Sequence, residues 1–151
     1  MSDGHSITSS PARVWQTTRA AKQVHDELVA AGVAIVAQLD GAAARDKAHF
    51  MTSIAQALAF PDYFGANWDA FDECLDDLHW QDKAIVLVID HADDLLAAAT
   101  NDRALLFESI GQSFAPNPDL PNSSFKVVLV APKDAPIVAL AAQSSPVAHL
   151  S

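Results

Sequence analysis

The sequence predicts an α/β domain built on a small parallel sheet. Three short apolar runs rich in branched residues, Val33 to Leu39, Ala84 to Ile89 and Phe125 to Ala131, read as strands buried on both faces. Segments of helical period separate them, and each crossover is long enough to lay neighbouring strands parallel. The length agrees: 151 residues, 50% of them hydrophobic, sustain one domain of ordinary size without a disulfide or a structural metal.

Taken in order, the polar start over 1–15 is expected to be mobile. Gln16 to Ala31 then sets Ala20, Val24, Leu28 and Ala31 at helical spacing, with Gly32 as C-cap, and reads as an extra N-terminal helix. Val33 to Leu39 is the first strand and ends at the turn signal Asp40-Gly41. Asp46 to Ala59 and Asn67 to Leu78 are helical in period, and Ala84 to Ile89 follows as the second strand. Asp93 to Ala99 and Asp102 to Phe114 read as two further helices, with Asp93 or Asp94 capping the first. Pro116, Asn117, Pro118, Pro121 and Asn122 make Ala115 to Ser124 a loop before the third strand. Beyond Pro132 the chain becomes Pro-, Ala- and Ser-rich, and its apolar piece Ile137 to Ala142 suits either a disordered tail or a segment packed on the domain. The expected organisation is a mobile start (1–15), one domain (16–131) with a three-stranded sheet, and a C-terminal tail (132–151).

Nineteen acidic residues against nine basic ones give a formal charge of −10, which repels phosphate backbones and anionic membranes and attracts basic proteins. Neither nucleic acid nor a membrane is an expected partner. The longest apolar stretch, Ala30 to Ala37, is interrupted by Gly32 and is far shorter than the roughly 20 residues that cross a bilayer. Cys74 is alone, which excludes an internal disulfide, and Asp3 stands where a secretory signal would carry Lys or Arg; both point to the cytoplasm. The six histidines form no recognised ligand spacing, and no Ser, His and Asp set or phosphate loop is present. The expected protein is therefore not an enzyme and takes no cofactor or metal. The one competing feature is Asp90-His91-Ala92-Asp93-Asp94, which follows a strand where α/β proteins place ligand sites.

The stretch Phe60 to Trp80 carries the functional signal, because no Lys or Arg occurs between Lys47 and Lys83. Asp62, Asp69, Asp72, Glu73, Asp76, Asp77 and Asp82 lie in one loop and helix. Asn67 is a good N-cap, and Asp69 falls in the first turn, where the helix dipole favours an anion. Trp68, Phe71, Leu75 and Leu78 follow helical spacing and should pack inward with Cys74, a buried structural thiol, while the carboxylates crowd the outer face. Such a charge run alone reads as the solvated face of a surface helix. The loop residues Tyr63, Phe64 and Gly65 directly before it add aromatic anchors, the composition of a protein-binding patch.

The run Tyr63-Phe64-Gly65-Ala66-Asn67-Trp68-Asp69-Ala70-Phe71, followed by Cys74-Leu75, is similar to the loop and second helix of the barstar family of ribonuclease inhibitors. The order of elements from Val33 to Ala131 resembles that family too. The resemblance implies a monomeric immunity protein whose loop and acidic second helix block the active site of a basic ribonuclease, with helix carboxylates in the place of an RNA phosphate. It implies contact roles for Tyr63, Asn67, Asp69 and Glu73, with Asp72 and Asp76 beside them on the same acidic helix, and a carboxylate from the last helix for which Glu108 is the candidate. Two positions depart from the founding member: Glu73 replaces an Asp, and Asp72 replaces an aromatic. Those departures keep open an alternative, a binding module of the same fold for a different toxin or a regulatory protein.

Overall fold

The computed structural model describes Ile7, residues 10–62 and residues 64–151. Five parallel strands form its sheet, β1 (Val14–Thr17), β2 (Ile35–Asp40), β3 (Ala84–Asp90), β4 (Ser124–Val130) and β5 (Val147–Leu150), in the spatial order β2-β3-β4-β1-β5. The three strands expected from the sequence are β2, β3 and β4. The expectation of a three-stranded sheet is thus corrected by β1 and β5, which pair in register at Val14↔Val147 through Thr17↔Leu150.

Strand β1 lies between β4 and β5, so all four of its residues are buried, including Gln16 and Thr17. Gln16 can be buried because its Nε2 donates to the Ala131 carbonyl at 2.6 Å, and its Oε1 meets His149 Nδ1 at 2.8 Å. The N-terminal helix therefore starts at Ala21 rather than Gln16: α1 spans Ala21–Ala30. It ends in a Schellman motif, the Gly32 N–H donating to Val29 and the Val33 N–H to Leu28, with Gly32 at φ +85°, where a side chain would be strained.

On the other face of the sheet lie α2 (Lys47–Ala57), α3 (Trp68–His79), α4 (Thr100–Gln112) and α5 (Pro136–Ser144). Alternation along the strands explains the continuous apolar runs. Ile85, Leu87 and Ile89 face the α2 to α5 side, and Val86 and Val88 face α1 through Val24 and Leu28. The segment after Pro132 is not a disordered tail: it folds into α5, with Pro136 at its first turn, and then β5.

Asp93 to Ala99 is not a helix. A 3₁₀ turn at Ala92–Asp94 is followed by turns that bury both Leu95 and Leu96, and the Leu96 N–H donates to Ala44 at 2.8 Å. The cap expected from Asp93 or Asp94 therefore has no helix over Asp93–Ala99 to cap, and α4 begins after its N-cap Ala99. The turns after β2 and β3 press together so closely that a Cβ on Gly41 would sit 2.3 Å from the His91 carbonyl oxygen. No helix among the described residues is long and apolar enough to cross a membrane.

Candidate functional site

Helix α3 starts where the sequence places it. Asn67 Oδ1 accepts the Ala70 N–H at 2.8 Å, and Asp69 lies in the first turn. Before it, the loop leaves α2 through Ala59 at φ +53°, turns with the Phe64 N–H donating to Pro61 at 2.9 Å, and reaches the helix through Ala66, also at φ +53°.

An aromatic cluster fixes this unit to the core. Phe71 is buried against Phe50, Phe60 and Trp68, with ring centres 6.0, 6.2 and 5.5 Å away. The Trp68 indole N–H donates to Asp102 in the first turn of α4 at 2.8 Å, locking the starts of the two helices together. Phe64, expected as an exposed anchor, is instead half-buried and packs on Phe60 at 5.1 Å. Tyr63, the other aromatic of the loop, lies outside the described residues.

The outer face of α3 carries the acid. At 3.6 residues per turn, Asp69, Asp72, Glu73 and Asp76 fall within an arc of about 100°, and Asp77 lies at its edge. All five are exposed, and none of their carboxylates makes a hydrogen bond or an ion pair with any described residue. On the inner side Phe71, Cys74, Leu75 and Leu78 are buried. The Cys74 thiol is held up in pKa by burial first, then by Asp77 and Glu73, which makes it a poor nucleophile.

Asp72 and Asp76 border a cleft of about 210 Å³ whose far side is Ser109 and Gln112 of α4 and its C-cap Ser113. Glu108 is exposed on α4 but does not line that cleft, and α4 is not the last helix. Sequence reasoning missed Trp80. This side chain directly follows α3, is 60% exposed, and stands three helical turns from Asp69 on the same face. That spacing of eleven residues was the available signal.

The Asp90 to Asp94 region is internally satisfied. His91 Nδ1 meets Asp40 at 2.9 Å, and Arg45 pairs with Asp94 at 2.6 Å. Among the described residues, no group of three or more His, Cys, Asp or Glu side chains is arranged to hold a metal ion.

Residues 34–128, well over half of the chain, match the family model described as Barstar (barnase inhibitor). The chain belongs to the barstar family. The matched barstar region contains β2, β3, α2 to α4 and most of β4, so β1, α1, α5 and β5 lie outside it. A comparison with curated proteins gives no match. Among solved structures the chain is similar to the Aeropyrum pernix ORC2 protein (ADPNP-ADP complexes), with a TM-score of 0.60 and 16% identity. That likeness is one of fold; it covers 93% of this chain and 42% of the other, so this barstar-family chain spans less than half of that structure's length.

Proposed function

We propose that this chain inhibits a basic ribonuclease by laying the outer face of α3 and the loop before it into the enzyme's active-site cleft. The observation that carries this reading is the unpaired carboxylate face on a helix anchored from behind by Phe71 and Trp68. A ribonuclease cleft must be cationic to hold a phosphate, and a rigid row of exposed carboxylates spanning about 10 Å along a helix presents that charge pattern without reordering. In this reading Glu73 is the carboxylate that enters the cleft, Asn67, Asp69, Asp72 and Asp76 surround it, Tyr63 supports it from the loop, and Trp80 closes the far end with an aromatic contact. The protein is a monomeric cytoplasmic immunity protein with no catalytic role of its own; the lone reduced Cys74 and the charge of −10 support that setting.

The test is inhibition of RNA cleavage by barnase and by other small basic microbial ribonucleases, with calorimetric affinities for the parent, Glu73→Ala and Asp77→Ala. Truncating one member of a desolvated charge pair costs about 2–5 kcal/mol, whereas a rim charge mainly tunes the association rate; the barnase–barstar pair itself contributes to that generalisation. Glu73→Ala should therefore lose most of the affinity and Asp77→Ala little. Equal binding by Glu73→Ala and the parent overturns the assignment of Glu73.

A second reading, a target other than a ribonuclease, is favoured by Asp72 in an aromatic's place. It gains if none of the nucleases is inhibited while a different basic protein binds and protects α3 from hydrogen exchange.

A further inference from the structure

A cavity of about 410 Å³ opens at the amino-terminal end of β1 and β4, and none of the α3 carboxylates lines it. Its volume falls in the range of small-molecule sites, roughly 300–1,000 Å³. Part of its wall is aromatic: Phe114 and Phe125 stack at 5.5 Å, and His79 lies against Phe114 with ring centres 4.9 Å apart. Arg13 and Lys126 also line it, and no Asp or Glu does, a local inversion of charge in a chain of net −10.

Lys126 is only 6% exposed, yet it has no ion pair among the described residues; its ammonium donates to the Ser10 carbonyl at 2.7 Å. An ammonium has three donors, and a buried charge without a counter-charge is costly. Arg13 donates to the carbonyls of Ile110, Ser113 and Phe114 at the end of α4. That grip holds Phe114 at φ +53°, a backbone conformation a bulky residue rarely adopts, and places its ring in the wall. Burial holds both cations below their ordinary pKa, and for Lys126 the nearby Arg13 adds to the effect. The Ser123 hydroxyl donates to the His79 carbonyl at 2.9 Å, so its oxygen accepts the His79 Nδ1–H at 2.7 Å, which fixes the ring against the wall.

The geometry points to a binding site for a small aromatic anion, its ring against Phe114 and His79 and its anionic group against Lys126 and Arg13. The anion supplies the counter-charge that buried Lys126 and half-buried Arg13 lack among the described residues, and the aromatic wall supplies shape selectivity.

Phenyl phosphate is the probe, titrated into the full chain by calorimetry and by amide chemical-shift mapping, with phenol and inorganic phosphate as half-ligands. Phenyl phosphate should bind about tenfold or more tightly than either half-ligand, and its shifts should map to the cavity lining. Lys126→Met should weaken it about tenfold, and Lys133→Met, at an exposed lysine outside the cavity, should leave it unchanged. If Lys126→Met does not fold, Phe114→Leu serves in its place and should weaken phenyl phosphate but not inorganic phosphate. No saturable binding at millimolar probe, shifts mapping elsewhere, or equal loss in Lys133→Met overturns the proposal.

Discussion

Replacing Glu73 by Gln should stabilise the fold and weaken the proposed complex, two effects of opposite sign from one atom change. Gln matches Glu in volume and helix propensity, so the change isolates charge. Glu73 faces Asp69 four residues before it, Asp76 three after and Asp77 four after, and no described cation offsets any of them. Each like-charge pair at such spacing costs about 0.2–0.5 kcal/mol, so removing three relieves about 0.6–1.5 kcal/mol before screening. At low salt that is a rise in melting temperature of roughly 1–6 °C, given about 2–4 °C per kcal/mol for a chain of this size. Raising salt towards 1 M shortens the screening length from about 30 to about 3 Å and should erase most of the gain. Thermal melts at both salt concentrations check the first effect, and calorimetry with barnase checks the second, where affinity should fall by about 2–5 kcal/mol. A lower melting temperature, or a gain indifferent to salt, refutes the repulsion argument. A stabilised variant that binds undiminished refutes the role given to Glu73.

Phe71→Ala removes the ring at the centre of the aromatic cluster and should cost about 3–5 kcal/mol in urea unfolding, with barnase inhibition lost only when the fold is lost. Trp68→Phe keeps most of the packing but deletes the indole donor to Asp102; it should cost about 1–3 kcal/mol, and hydrogen exchange should rise at the start of α3. The Asp40–His91 pair sets a pH dependence. Its hydrogen bond to the Asp40 carboxylate raises His91 above its ordinary 6.5, so that contribution is complete below pH 6.5 and fades as pH rises through the higher folded value. The hydrogen bond that Asp40 accepts from His91 holds its carboxyl below its ordinary 3.8, so its share is present above pH 3.8 and fades on acidification below it. Melts of His91→Asn against the parent should differ most between those two values and converge in mild alkali, and Asn suits the left-handed backbone at His91, φ +47°.

The parts of the fold legible in the sequence are those whose burial is set locally. Strands β2 to β4 are covered on both faces and therefore read as continuous apolar runs, and α3 separates Phe71, Leu75 and Leu78 from its carboxylates over three turns. Strands β1 and β5 are four residues each and carry Gln16 and His149, polar residues whose mutual contact spans 133 positions and leaves no local trace. Asp93 to Ala99 has a helical composition, but burying the adjacent Leu95 and Leu96 together needs a turn, with Leu96 at φ +52° tied to Ala44. At the candidate site the acidic face and the Asn67 cap follow from helical spacing. The inward rotation of Phe64 onto Phe60 is a tertiary contact that spacing does not encode.

Elsewhere on the surface some acids are offset by nearby cations or histidines, while Asp62, Glu108, Asp119 and Asp134 are exposed and have no ion pair among the described residues. Asp26 pairs with Lys22, Glu27 with Arg19, Asp94 with Arg45, and Asp46 and Asp40 meet His49 and His91. Helix α3 has five exposed carboxylates and no such partner among the described residues, although a single Lys at position 72 or 76 would relieve several repulsive pairs. What sets α3 apart is that five such carboxylates share one helix face. Meanwhile the buried side of the same helix is unusually well held, with four aromatic rings in mutual contact and an indole bonded across to α4. Self-repulsion on the outside and rigid anchoring on the inside act together: the charges stay close to one another because the helix cannot fray to separate them. A cationic cleft docking on that face would gain the attraction of the whole row with little loss of conformational freedom in the helix, which is the condition under which charge complementarity yields fast association and a slow release.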